Sequence, residues 1–147
     1  MRWLFSAVAL ISGAALAVQV GMNSELRVRI GHPLIAALFS FLVGTAGLVT
    51  YLAIARPGWP TGERMAAVPW WGWMGGMVGA CYVATGAAYA NRLGAASWLA
   101  LVVTGQVLAS VALDHFGLVG FPVHQAGLMR LVGVALLLAG VVIVLRS

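Results

Sequence analysis

The chain has 147 residues, 63% of them hydrophobic and 7% charged, with a mean hydropathy of +1.03. A water-soluble domain carries about 25% charged residues to cover its surface, so this composition excludes a soluble globular protein and calls for an integral membrane protein. The net charge of +5 comes from eight arginines and no lysine against three acidic residues, and those arginines stand singly at the ends of apolar runs, as interfacial anchors do, which excludes a nucleic-acid surface. Cys81 is the single cysteine and the three histidines are dispersed, so neither an intrachain disulfide nor a metal cluster is expected. The chain carries no nucleophile–base constellation and no phosphate loop, so neither catalysis nor a cofactor is expected.

Arg2, an apolar run and Ala15-Leu16-Ala17 admit a signal-peptide reading. The run continues to Met22, however, long enough to span a bilayer, and residues 3–22 are read as the first membrane helix, anchored by Arg2 and Trp3. Ser12, Gln19 and Asn23 follow at spacings of seven and four and share one helix face. Two amides and a hydroxyl on one face form a polar wall, which serves either interhelical hydrogen bonding or a solute. Glu25 and Arg29 make an i,i+4 pair if the helix continues outward. Gly31-His32-Pro33 then breaks the chain, and Pro33 suits the first turn of the next helix.

The second span is predicted over residues 34–55, where Ser40, Gly44 and Gly47 form a small-residue packing face. Two prolines and two glycines between Arg56 and Arg64 forbid a regular helix, so this stretch is a loop. Pro69 opens a third span, predicted over residues 69–90, with Trp70, Trp71 and Trp73 marking the interface. Gly72 with Gly76, and Gly75 with Gly79, are small-xxx-small pairs. Tyr82, Thr85 and Tyr89 lie deeper, and aromatic rings at helical spacing more often pack than line a pocket. Asn91-Arg92 is read as a tight turn, making the third and fourth spans antiparallel neighbours.

The fourth span, residues 94–114, carries Gln106 near its middle and closes on Asp114-His115. Gln106, Ser110, Asp114 and Gly117 share a helical stripe at spacings of four, four and three. Hydrocarbon offers an amide no partner, so Gln106 must face protein or a water-filled cavity. A loop with Pro122 follows. The apolar run 131–145 spans about 22 Å, short of the 30 Å hydrocarbon core, so the fifth span begins near Ala126 and takes Arg130 into its first turn, residues 127–145 in all. Arg130 and Asp114 then lie on the same side of the membrane and form an ion pair, as a clamp between helix ends or as a gate.

The expected fold is therefore all-α: one domain, residues 1–147, of five transmembrane helices. Five crossings put Arg2, Arg56, Arg64 and Arg130 on one side and Arg27, Arg29, Arg92 and Arg146 on the other. An excess of Lys and Arg normally sets orientation, and four against four supplies none. Copies are thus expected to insert both ways up and to pair as an antiparallel, dual-topology dimer. Such a dimer provides the inverted repeat that many transporters use around a midplane site.

Three groups of residues together resemble a known family: G-x5-Q-x3-N-x2-L from Gly13 through Gln19 and Asn23 to Leu26, G-Q-x7-D-H-F-G from Gly105 to Gly117, and Arg130-x2-Gly133. They are similar to the YdcZ-like branch of the drug/metabolite transporter superfamily, over nearly the whole chain. The resemblance implies a five-helix half of a ten-helix transporter, working as a homodimer or with a paired homologous subunit in a bacterial inner membrane, and moving a small organic solute by alternating access. The four-helix small multidrug resistance relatives couple protons through a membrane-embedded glutamate. The first helix here has Gln19 and Asn23 and no acidic residue within the span, which puts proton-coupled cation export in doubt. Gln19, Asn23 and Gln106, with Ser12, are expected to line the solute site, and Tyr82 or Trp98 to supply apolar walls. A dual-topology ion channel of the fluoride-channel kind and a non-transporting membrane assembly subunit are the alternatives.

Overall fold

The computed structural model describes the backbone of residues 2–147 and the side chains of residues 3–147, so the anchoring side chain of Arg2 lies outside the described residues. The chain divides into two compact units, Met1–Arg92 and Leu93–Ser147.

In the first unit, α1 runs over Arg2–Ile30 and so extends well past the predicted end at Met22. Nothing between Asn23 and Arg29 breaks a helix, and the Glu25–Arg29 ion pair at 2.7 Å braces the extra turns. Arg27 and Arg29 sit in the last turn, where positive charge suits the helix dipole. At 1.5 Å per residue its 29 residues measure about 43 Å, longer than the roughly 30 Å hydrocarbon core, so the charged end lies beyond it. Gly31, at φ 89°, ends the helix, and its N–H bonds to the Arg27 carbonyl at 2.8 Å. Pro33 opens α2, Pro33–Ala55, behind an extended His32.

Helices α1 and α2 pack together. Ala36 and Ala37 of α2 and Val20 of α1 are buried. The small-residue face expected at Gly44 and Gly47 is open, with nothing within 4 Å of a Cβ at either. The chain leaves α2 through Arg56, a left-handed residue at φ 45°, ψ 46° whose N–H bonds to the Leu52 carbonyl. An L-residue there costs about 1–2 kcal/mol. The predicted loop contains one short helix, α3, Gly62–Ala66, with Thr61 as its N-cap.

The predicted third span is in two parts. Pro69 caps a 3-10 turn over Trp70–Met74, closed by Gly72 N–H on the Pro69 carbonyl at 2.9 Å. The α-helix proper, α4, covers Gly75–Leu93. Tighter turns of this kind are frequent at the start of an α-helix. Helix α4 meets α2 through a small cluster of Ala37, Val83 and Ala84, with Tyr82 against it. There the Phe41 ring lies 3.5 Å from where a Gly79 Cβ would stand. Asn91 and Arg92 are helical, not a turn, because neither residue type breaks a helix. The break is Gly94, at φ 84°.

In the second unit, α5, Ala95–Phe116, packs with α6, Leu128–Arg146. Gly117 ends α5 in the left-handed region at φ 63°, ψ 38°. Leu118 N–H reaches back to the Leu113 carbonyl at 3.0 Å, a Schellman-type closure. As expected, α6 starts early enough to hold Arg130 in its first turn.

Among the described residues four helices are long and apolar enough to cross a membrane: Trp3–Ile30, Pro33–Ala55, Ala95–Phe116 and Leu128–Arg146. No more than 11% of each apolar window is buried, an exposure that only a lipid solvent or further protein accommodates. Helix α4 occupies the expected place of a fifth. At 19 residues it measures about 28 Å, but two tyrosines, four glycines, Asn91 and Arg92 leave it less apolar than the others.

Candidate functional site

The polar stripe of α1 separates residue by residue. Ser12 is exposed, and its hydroxyl donates to the Val8 carbonyl of its own helix at 2.9 Å, so its bonding capacity is spent locally. Gln19 is half-buried. Asn23 is only 4% exposed and makes no side-chain hydrogen bond among the described residues. It lines a groove of about 480 Å³ between α1 and α2 together with Leu26, Phe39, Ser40 and Val43. Its amide is therefore free to bond into the groove, where water or a ligand can complete it.

Ser24 escaped the sequence reading. It is 1% exposed, and its hydroxyl has no hydrogen-bond partner among the described residues. Its one signal was position: it lies one turn beyond Val20, which is also buried, on a side of α1 adjacent to the Asn23 face. Tyr82 packs against the Ala37–Val83–Ala84 cluster, the packing role that its spacing favoured.

In the second unit Gln106 is exposed, as is Ser110. Trp98 is half-buried, and its indole N–H is buried without a partner. Thr104, 7% exposed, donates to the Ala100 carbonyl at 2.7 Å. A shallow groove between α5 and α6, lined by Val103, Leu136 and Val141 among others, presents apolar side chains.

Asp114 and Arg130 meet as expected, with Nη1 to Oδ2 at 3.0 Å and side-chain exposures of 28% and 43%. Arg130 also donates to the His124 carbonyl at 3.4 Å. Around the pair the loop is densely bonded. His124 N–H donates to the Asp114 carbonyl at 2.7 Å, and Ala126 N–H donates to Nδ1 of His115 at 3.1 Å. Val119, a β-branched residue, is held at φ 55°, a strained conformation for that residue type. The ion pair is thus part of a laced hairpin that fixes the ends of α5 and α6. Among the described residues no three His, Cys, Asp or Glu side chains could hold a metal ion.

The geometry is that of polar side chains held on membrane helices. Comparison with known proteins agrees. The family model described as "Putative inner membrane exporter, YdcZ" matches residues 4–143. The chain is 29% identical to Inner membrane protein YdcZ of Escherichia coli (strain K12) over 135 residues, covering 92% of this chain and 90% of that protein. No solved structure matches the chain. With apolar helices of spanning length and a matching family model over nearly its full length, this chain is an integral protein of the bacterial inner membrane and belongs to the YdcZ family.

Proposed function

We propose that the chain is half of an exporter of small organic solutes, working by alternating access as a pair of copies inserted in opposite orientations. The family described as inner membrane exporters supports transport. The observation that carries the site is Asn23, a largely buried residue that makes no side-chain hydrogen bond among the described residues and lines the α1–α2 groove together with Ser40. Gln19 lies one turn away on the same face. Neutral amides donate and accept at once, which suits an uncharged polar or zwitterionic solute.

Gln106 supports the pairing. An exposed amide in the middle of an apolar helix has no partner in hydrocarbon, so a second copy covering it removes that cost. Helix α4 is the fifth crossing in this reading. With the Trp70–Met74 turn it reaches about 38 Å, enough to traverse the bilayer. Five crossings leave the arginines evenly shared, so both orientations insert.

The test combines binding and topology. Purified protein is screened against a solute library by thermal shift, since a ligand of the folded state raises apparent stability. Asn23→Leu should remove the shift while leaving the unliganded melting temperature close to wild type. A carboxyl-terminal reporter should be accessible from both sides of the membrane. A ligand shift of full size in Asn23→Leu dismisses the site, and a reporter confined to one side dismisses the antiparallel pair.

A further inference from the structure

A groove of about 700 Å³ in the first unit lies where α2 ends and belongs to no part of the solute site. Val49, Leu52 and Ala53 of α2 line it together with Arg56, Trp59 and Pro60 of the stretch that follows. We infer that this groove binds an anionic phospholipid, with an acyl chain along Val49, Leu52 and Ala53 and the phosphate on the Arg56 guanidinium.

Depth supports this reading first. The 23 residues of α2 measure about 34 Å, close to the hydrocarbon thickness. Val49 to Ala53 are therefore at acyl-chain depth near one boundary, and Arg56 is at the headgroup level. Tryptophan and arginine side by side are the residues that occupy that level in membrane proteins. An apolar trough rising to a cation matches one molecule with an apolar tail and an anionic head.

The backbone supports it second. The residue after a helix end in the left-handed conformation is ordinarily glycine, yet here it is Arg56 at φ 45°. The chain keeps a cationic side chain where its own geometry disfavours any side chain. Charge supports it third. Arg56 makes no ion pair and no side-chain hydrogen bond among the described residues, whereas Arg29 and Arg130 each hold a carboxylate. A free guanidinium at the lipid boundary is a ready fork for a phosphate.

The test uses the full chain, purified, stripped of lipid, and reloaded from mixed micelles of phosphatidylglycerol and phosphatidylethanolamine. Lipid retained per chain is counted by native mass spectrometry. Wild type should retain phosphatidylglycerol in preference to phosphatidylethanolamine. Arg56→Gly should lower that retention about fivefold, the weight of one basic side chain at an anionic surface. This variant suits the left-handed backbone, so its melting temperature should not fall. Trp59→Ala should lower retention too. Arg64→Ala removes a nearby charge that does not line the groove, and it should retain lipid as wild type does. Equal retention by Arg56→Gly and wild type overturns the proposal, as does an equal loss in Arg64→Ala or equal retention of the two lipids. A change of oligomeric state in Arg56→Gly also overturns it, since the groove would then be covered by a second copy.

Discussion

Gly117 carries the sharpest structural test. It closes α5 at φ 63°, and a Cβ there would stand 2.6 Å from Cγ2 of Val123 and 3.5 Å from the Phe121 carbonyl oxygen. Gly117→Ala therefore meets two separable costs. The left-handed conformation costs an L-residue about 1–2 kcal/mol. The close approach forces Val123 off its rotamer, at about 0.5–1.5 kcal/mol. Val123 is stiff at χ1 because it is branched at Cβ, but it is 63% exposed and has room to turn, which keeps the second cost small. Together they come to about 1.5–3.5 kcal/mol. Reversible unfolding in mixed micelles by titration with a denaturing detergent, followed by tryptophan fluorescence, measures the loss. Adding Val123→Ala should return about 0.5–1.5 kcal/mol, the steric part alone, and leave the backbone part in place. A Gly117→Ala protein within about 0.5 kcal/mol of wild type, or full recovery on adding Val123→Ala, would refute the reasoning.

Three further outcomes are expected. A double-mutant cycle on Asp114 and Arg130 with alanine should give a coupling of about 0.5–1 kcal/mol, because both side chains are partly exposed and water screens the pair; a coupling near zero would mean that the ion pair does not hold the hairpin. Ser24→Ala should stabilise the protein by up to about 1 kcal/mol in the same unfolding assay, since it removes a buried hydroxyl without a partner; a loss of stability would show that the hydroxyl is bonded. Gly79→Ala places a methyl at ordinary contact with Phe41 and should stabilise α4 by about 0.5–1 kcal/mol through helix propensity, whereas Gly79→Leu overpacks the contact and should cost about 1–3 kcal/mol; a destabilised Gly79→Ala would place α4 closer to α2.

Much of the architecture was legible because apolar runs and breakers are local. The span at α2 ends as predicted, since the proline-rich stretch after it cannot continue a helix. The early start of α6 followed from bilayer thickness, and with it the meeting of Arg130 and Asp114. The misread ends of α1 and α4 share one cause, the assumption that polar residues end helices. Asn23 and Glu25 did not stop α1, and Asn91-Arg92 did not stop α4. Glycines 31, 94 and 117 did, each at positive φ.

The site was legible only in part. Helical spacing put Ser12, Gln19 and Asn23 on one face, but spacing does not say which of them is buried. Ser12 spends its hydroxyl on its own backbone, and Asn23 is enclosed beside α2. Burial depends on where the neighbouring helix lies, and that is a property of contacts between residues far apart in the chain. The same holds for Ser24 and for the exposed Gln106.

Composition alone decided that this protein lives in a membrane and is helical, because hydrocarbon cannot satisfy a backbone in any other open form. Bilayer thickness and breaker residues then set where most of its helices run. Only the tertiary structure decided which amide is buried beside a groove, which glycines turn the chain, and that a strained Arg56 stands over an apolar trough. Those features arise where distant segments meet, and the free energy of such meetings is not written in any one stretch of sequence.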